Sequence, residues 1–319
     1  MLVETHSLTK RYPEVTALDN CTMQIERGEV FGLLGPNGAG KSTLIRLLMG
    51  FLRPSDGWAK IDGLDSYQNS VEVHQRVTYL PGDVRLFRSM KAKRLLRFFC
   101  DVRRTGNFPR ALEIADQLDL NVNTRVSGMS TGMRQKLALA ATLSAETPLV
   151  ILDEPTANLD PNIRSRVSQM VRDARDAGRT VLFSSHVLSE VEETCDRVAI
   201  LRSGKLVHLQ VVSDLRRTHR IAATLEGQLP EVPSEFADEL TIDQSADGSV
   251  AMETPGELKP LLGWLATLPI SEVHIEPVGL RAIYDQFHPP GENVGRENVR
   301  TPTPSSARKT ETPNEVHSS

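Results

Sequence analysis

The run VFGLL, Val30–Leu34, passes without a break into GPNGAGKST, Gly35–Thr43, and then into LIRLLM, Leu44–Met49. No other stretch restricts the fold of this chain as much. Five apolar residues, a glycine-rich turn and an amphipathic run describe a buried strand that delivers a loop to the start of a helix. Glycines let successive backbone N–H groups turn inward around phosphates. Lys41 can reach the outer phosphate oxygens, and the Ser42 hydroxyl can ligate Mg²⁺. A glycine-rich turn without a ligand would not need Lys then Ser at those offsets, so the spacing predicts a phosphate-binding P-loop.

LVILDEP, Leu149–Pro155, places two carboxylates where a second aliphatic run ends. In α/β proteins that edge of the sheet holds ligands. Asp153 is suited to hold magnesium, directly or through water, and Glu154 can polarise a water against a γ-phosphate. The same acidic pair also suits the cap of the next helix. His186 ends VLFSSH, again at the C-terminal end of an expected strand. Its neutral ring can donate to a phosphate or simply tie down a loop. Glu29–Leu34, Leu149–Asp153 and Thr180–Ser184 are continuous aliphatic runs, separated or followed by helical patterns. They predict an α/β fold, a P-loop nucleoside triphosphatase whose mostly parallel sheet is covered by helices.

A chain of 319 residues has room for one large and one small domain. Its formal net charge of −4 gives no electrostatic case for nucleic acid, so none is expected as a partner. Cys21, Cys100 and Cys195 are odd in number and widely spaced, which suits neither a disulfide framework nor a zinc site and fits a reducing cytosol. The N-terminus has no signal pattern, and runs such as Leu137–Ala145 fall short of a membrane span. If membranes matter, another chain must cross them. The nucleotide-binding part is expected over 1–217. Short strands from about Arg220, an Asp247–Gly248 hairpin signal, a helix near Leu258–Leu268, a strand at Glu272–Ile275 and a final helix predict a small α+β accessory domain over 218–288. Residues 289–319 have no aromatic and almost no aliphatic side chain, so a disordered tail is expected there.

MSTGMRQKLALA, Met129–Ala140, starts a helix on small polar residues and a glycine, which makes a second anion grip. With the P-loop, the DEP turn and His186, it makes the stretch from Tyr12 to His186 resemble the nucleotide-binding domain of ATP-binding cassette transporters. The resemblance implies an antiparallel β part at the N-terminus and a helical subdomain carrying the signature motif. It implies ATP and Mg²⁺ as ligands, with Tyr12 stacking on adenine. Gly35, Pro36, Asn37, Gly38, Ala39, Gly40, Lys41, Ser42 and Thr43 would cradle the phosphates, and Lys41, Glu154 and His186 would act in catalysis. Ser130 and Gly132 would serve the ATP held by a second cassette, an identical copy or a close paralogue. ANLD, Ala157–Asp160, resembles the loop that links the two sites. Ser130 and Asp160 also suit plain helix caps.

The chain departs from the family after RVTYL, where YLPGDVRLF has Gly82 and Asp83 in place of a glutamine. Asp83 can substitute as a magnesium-side ligand, through water, or sit in a solvated turn. Val84–Phe99 carries Arg85, Arg88, Lys91, Lys93, Arg94 and Arg97 with no acidic residue, interleaved with Leu86, Phe87, Leu95, Leu96, Phe98 and Phe99. Such a run is either a solvated helix face over a core stripe or the place where a permease helix docks, with phospholipid headgroups as a second contact. The segment ending VHIEPVGLRAIYDQFH resembles the accessory part of export-type cassettes. The resemblance therefore implies an ATP-hydrolysing subunit that powers export through a separate transmembrane permease, peripheral to the cytoplasmic face of the membrane. A cassette ATPase working on ribosomes or DNA usually has two cassettes or a coiled-coil insertion, and neither is present. A nucleotide switch with little turnover is the other alternative.

Overall fold

Alternation of apolar and polar residues shapes the beginning of the chain. β1 (Val3–Arg11) and β2 (Thr16–Ile25) pair antiparallel, and the second half of β2 buries every other residue. The continuous apolar run is β3 (Val30–Leu34), followed by α1 (Lys41–Leu48), β4 (Asp56–Ile61), β5 (Leu64–Asp65), α2 (Ser70–Arg76) and β6 (Val77–Leu80). A helical block comes next, α3 (Ala92–Val102), α4 (Phe108–Gln117) and α5 (Thr131–Leu143). The chain then returns to the sheet through β7 (Leu149–Asp153), α6 (Pro161–Asp176), β8 (Thr180–Ser185), α7 (Leu188–Thr194), β9 (Arg197–Arg202), β10 (Lys205–Val211) and α8 (Val212–Arg217). Last come β11 (His219–Leu225), β12 (Thr241–Gln244), β13 (Ser249–Thr254), α9 (Leu258–Leu265), β14 (Ile270–Pro277) and α10 (Leu280–Phe287). This computed structural model describes residues 1–287 apart from 228, 231, 238–239, 246–247 and 256–257. Asp247 of the hairpin signal and the tail 289–319 lie outside the described residues.

The central sheet has the order β10-β9-β3-β8-β7-β6, parallel except for the edge strand β10. Every residue of β3, β7 and β8 is buried. The two-residue period of a strand divides them between two cores. Val150 and Leu152 face a cluster built with α3, α4, α5 and α6, whereas Leu149 and Ile151 join one built with α1 and the antiparallel sheet β2-β1-β4-β5. The fold is α/β, with a mostly parallel sheet between an antiparallel β part and a helical part.

Beyond α8 the chain makes a third, antiparallel sheet, β12-β13-β11-β14. Ile221, Leu225, Val250 and Met252 pack against Leu261 and Leu265 of α9 as a cluster of their own. β12 and β13 pair as Thr241↔Glu253 through Gln244↔Val250, either side of the expected hairpin. The last helix leaves this cluster. Leu280 of α10 is fully buried in the nucleotide-side core with Val212 and Leu215, and Arg202 donates to the Phe287 carbonyl at 2.6 Å.

Candidate nucleotide site

Lys41 and Ser42 lie in the first turn of α1, three residues earlier than the apolar pattern alone suggests. The reason is local. The first turn of a helix has unpaired N–H groups, which suit an anion, so a phosphate loop and the helix it enters share residues. Gly40, at φ 106°, makes the turn into α1; a Cβ there would lie 2.8 Å from the Ala17 carbonyl oxygen. Lys41 is buried, and its ammonium donates to the carbonyls of Gly35 at 2.6 Å and Pro36 at 3.2 Å. Burial pushes its pKa down from 10.5, and the charges of Glu154 and Asp153 oppose that shift. Its Nζ stands 3.7 Å from Glu154 Oε1. The chain's own carbonyls and carboxylate therefore surround the Lys41 ammonium.

β7 and β8 deliver the acidic end of the site side by side, paired as Asp153↔Ser184. Ser42 Oγ donates to Asp153 Oδ2 at 3.0 Å, and Ser184 Oγ donates to Asp153 Oδ1 at 2.6 Å. A hydroxyl and a carboxylate, both hard oxygen donors, suit magnesium. No group of three or more His, Cys, Asp or Glu residues able to hold a metal occurs among the described residues, so the protein alone is no all-protein cage. Two protein oxygens, completed by phosphate and water, are what Mg²⁺ ordinarily accepts.

Glu154 sits at φ 50°, a conformation that costs a non-glycine residue on the order of 1–3 kcal/mol and persists only where the surroundings hold it. Two neighbours do so. The Glu154 N–H donates to Ser184 Oγ at 3.0 Å, and the buried Gln135 amide of α5 donates to the carbonyls of Glu154 and Pro155 at 3.3 and 3.0 Å. The carboxylate turned out by this strain lies 3.4 Å from His186 Nδ1, and His186 is half exposed. Lys41, Glu154 and His186 thus form one chain of charged and ionisable groups along the sheet edge. Gln135 was not foreseen. Its only sequence signal is a polar residue in register with Ala138, Leu139 and Thr142 on the buried side of α5.

A cavity of about 650 Å³ opens beside this chain, lined by residues that include Ser42, Arg46, Tyr79, Gly82, Asp83, Asp153 and Glu154. Tyr79, also not foreseen, has its hydroxyl pKa pushed up to about 12 by burial and then by the charge of Asp153. Asp83 is at the rim, with its carboxylate 2.8 Å from the Arg85 guanidinium. Tyr12 is well exposed, and the Lys10 ammonium lies 5.3 Å from its ring centre.

The described residues lining the cavity include neither Ser130 nor Gly132. Ser130 caps α5, accepting from the Met133 N–H at 3.2 Å, and Asp160 caps α6, accepting from the Ile163 N–H at 3.1 Å. Gly132 is fixed by close approach, since a Cβ there would lie 2.7 Å from the Asn158 carbonyl oxygen. The start of α5 and the Ala157–Asp160 loop are therefore in direct contact.

A phosphate loop on the buried parallel strand β3, faced by carboxylates from the end of β7 two strands along the sheet, defines a P-loop ATPase. Residues 18–157 match the family model for the ABC transporter. The chain is 34% identical over 212 residues to the ABC transporter ATP-binding protein NatA of Bacillus subtilis, covering 65% of this chain and 86% of that protein. It is 28% identical over 219 residues to the linearmycin resistance ATP-binding protein LnrL of the same organism, covering 67% of this chain and 70% of that protein. A solved dimeric ATP-binding cassette in a post-hydrolysis state, bound to ADP and Pi, superposes with a TM-score of 0.61 at 22% identity, covering 66% of this chain and 99% of that one. The chain belongs to the ABC transporter family and is an ATP-binding subunit of the P-loop ATPase type. Among the described residues no helix is long and apolar enough to cross a membrane.

Proposed function

We propose that this chain hydrolyses ATP as one of two facing cassettes and so drives export through a separate membrane permease, from the cytoplasmic face. The observation that carries the reading is the incomplete site. Lys41, Ser42, Asp153, Glu154 and His186 converge, while neither Ser130 nor Gly132 lines the cavity to which Ser42, Asp153 and Glu154 contribute. The dimeric cassette with the same fold supports pairing. In a head-to-tail pair, the partner's Ser130 and Gly132 would complete the enclosure, adding a hydroxyl, close backbone approach and a helix dipole.

In this mechanism the phosphates draw Lys41 away from Gly35 and Pro36, and the loop N–H groups oppose the negative charge. Tyr12 stacks on the adenine. Glu154, released from Lys41, takes the proton of the attacking water, and His186 donates to the γ-phosphate. Ser42 and Asp153 would hold Mg²⁺, which when bound neutralises charge on the phosphate oxygens. Asp160 supports the loop between the two sites. Asp83, freed from Arg85, would supply a further carboxylate oxygen on the magnesium side. Residues 1–217 form the cassette and 218–288 the accessory domain. An apolar groove of about 220 Å³, lined by Pro81, Val84, Leu86, Phe99 and Ala138 among others, is the socket for a short permease helix. The similarity to LnrL, a linearmycin resistance ATP-binding protein, favours export.

Size-exclusion chromatography of Glu154→Gln tests the pairing. ATP is expected to convert the monomer to a dimer, and adding Ser130→Glu should abolish the dimer while nucleotide binding persists. A Glu154→Gln chain that stays monomeric with saturating ATP refutes the shared site. Direction is tested with the permease in sealed vesicles, where ATP on this chain's side should move substrate away from that side.

A further inference from the structure

We infer that the surface formed by the Phe87–Lys91 loop, the outer face of α3 and Arg125 binds anionic phospholipid headgroups directly. Ala92, Leu95, Leu96 and Cys100 turn inward to the core, so α3 presents Lys93, Arg94, Arg97 and Phe98 outward. Two cations of the run are neutralised, Arg85 by Asp83 and Arg97 by Asp101. Arg88, Lys91, Lys93 and Arg94 are exposed and have no ion-pair partner among the described residues. Arg125 adds a fifth cation. It bridges to Lys91 through the backbone, and its guanidinium donates to the Ser89 carbonyl at 3.4 Å, with no ion-pair partner among the described residues.

Two aromatic rings stand among these charges. Phe87 is 56% and Phe98 42% exposed, and they meet edge to face at 5.8 Å. Neighbouring Phe99 lines the apolar groove instead, so the rings serve different surfaces. Unpaired cations around exposed aromatic rings fit the headgroup level of a membrane, where charge meets phosphate and a ring spans the boundary between polar and apolar. An acidic protein segment would satisfy the charges and leave both rings in water. The chain as a whole carries a net charge of −4, so general electrostatics repel an anionic surface and attraction has to come from a local patch such as this one.

Because the apolar side of α3 is already used by the core, the helix cannot sink into the bilayer. The contact is therefore with headgroups, weak and salt-sensitive, and adds to a permease instead of replacing it. It does not depend on the exporter reading, since plain vesicles contain no permease.

Flotation of the full chain with vesicles tests this directly. The protein is expected to bind vesicles of phosphatidylcholine mixed with phosphatidylglycerol, to ignore pure phosphatidylcholine, and to be released by salt. Changing Arg88, Lys91, Lys93 and Arg94 to Gln should lower partitioning about five-fold per cation. Phe87→Ser, one exposed position with all charges kept, should lower it several-fold and provides the test if the charge variant loses its fold. ATP hydrolysis of these variants in solution should stay unchanged. No binding, equal binding to both vesicle types, undiminished binding by the variants, or equally tight binding of a polyglutamate peptide would overturn the inference.

Discussion

Glu154 combines a strained backbone, a buried cation at 3.7 Å and a histidine at 3.4 Å, and its position argues for the proton-accepting role. Glu154→Gln is expected to slow ATP turnover by about 10²–10⁴-fold with nucleotide binding retained, as measured by phosphate release and equilibrium binding. Lys41 gives a pH dependence of defined sign. Burial lowers its pKa in the free protein, and bound phosphates favour the charged form. Above the free-state pKa, binding must take up a proton, so ATP affinity should fall as pH rises through that value, which lies below 10.5, and level off on the acid side. Titration calorimetry in buffers of different ionisation enthalpy reads the proton uptake directly, and its absence at alkaline pH would contradict the assignment. The Lys41–Ser42 pair was legible because its chemistry depends on contiguous residues. Gln135 was not, because nothing in the residues around it says which carbonyl it will meet.

At the scale of elements, α5 links the signature-like turn to the end of β7. Gln135→Leu would take the amide donor from the Pro155 carbonyl, while the Glu154 carbonyl keeps the Ala157 N–H, at about 1–3 kcal/mol for a buried unsatisfied group. Thermal unfolding should register that loss, and turnover should fall further than ATP affinity because the strained peptide is no longer held. Gly132→Ala forces α5 and the Ala157–Asp160 loop apart, since the added methyl lies 2.7 Å from the Asn158 oxygen. Steady-state assays should show turnover reduced with little change in binding to the isolated monomer. The element types themselves were readable: β3, β7 and β8 are unbroken aliphatic runs because both of their faces are covered. The apolar residues of the basic run were only partly readable. Leu95 and Leu96 are core, but Phe87 and Phe98 fall on the outside of the same segment, and hydrophobicity does not distinguish the two fates.

Across the whole molecule, α10 ties the C-terminal sheet to the nucleotide part. Leu280 is fully buried, the Leu280 N–H donates to Glu192 Oε1 at 3.3 Å, and the Phe287 ring stacks on His208 at 5.3 Å. Leu280→Ala should cost about 2–5 kcal/mol, as a large-to-small change in a packed core does. Calorimetry is expected to show the nucleotide part losing stability, although the residue belongs to the far end of the chain. An unchanged midpoint for that part would mean the helix contributes nothing to it. The sequence pattern located a helix here and a change of character near Leu206. Neither observation says where the helix docks.

By itself the sequence determined the α/β class, the phosphate loop and the carboxylates at the strand end, because each is carried by neighbours a few residues apart whose spacing the backbone converts directly into geometry. Only the tertiary structure decided that Gln135 clamps Glu154, that Gly132 touches Asn158, that five cations gather with no ion-pair partner among the described residues and that α10 folds back. Those contacts join distant segments, and apolar periodicity records that a face is buried without naming what buries it.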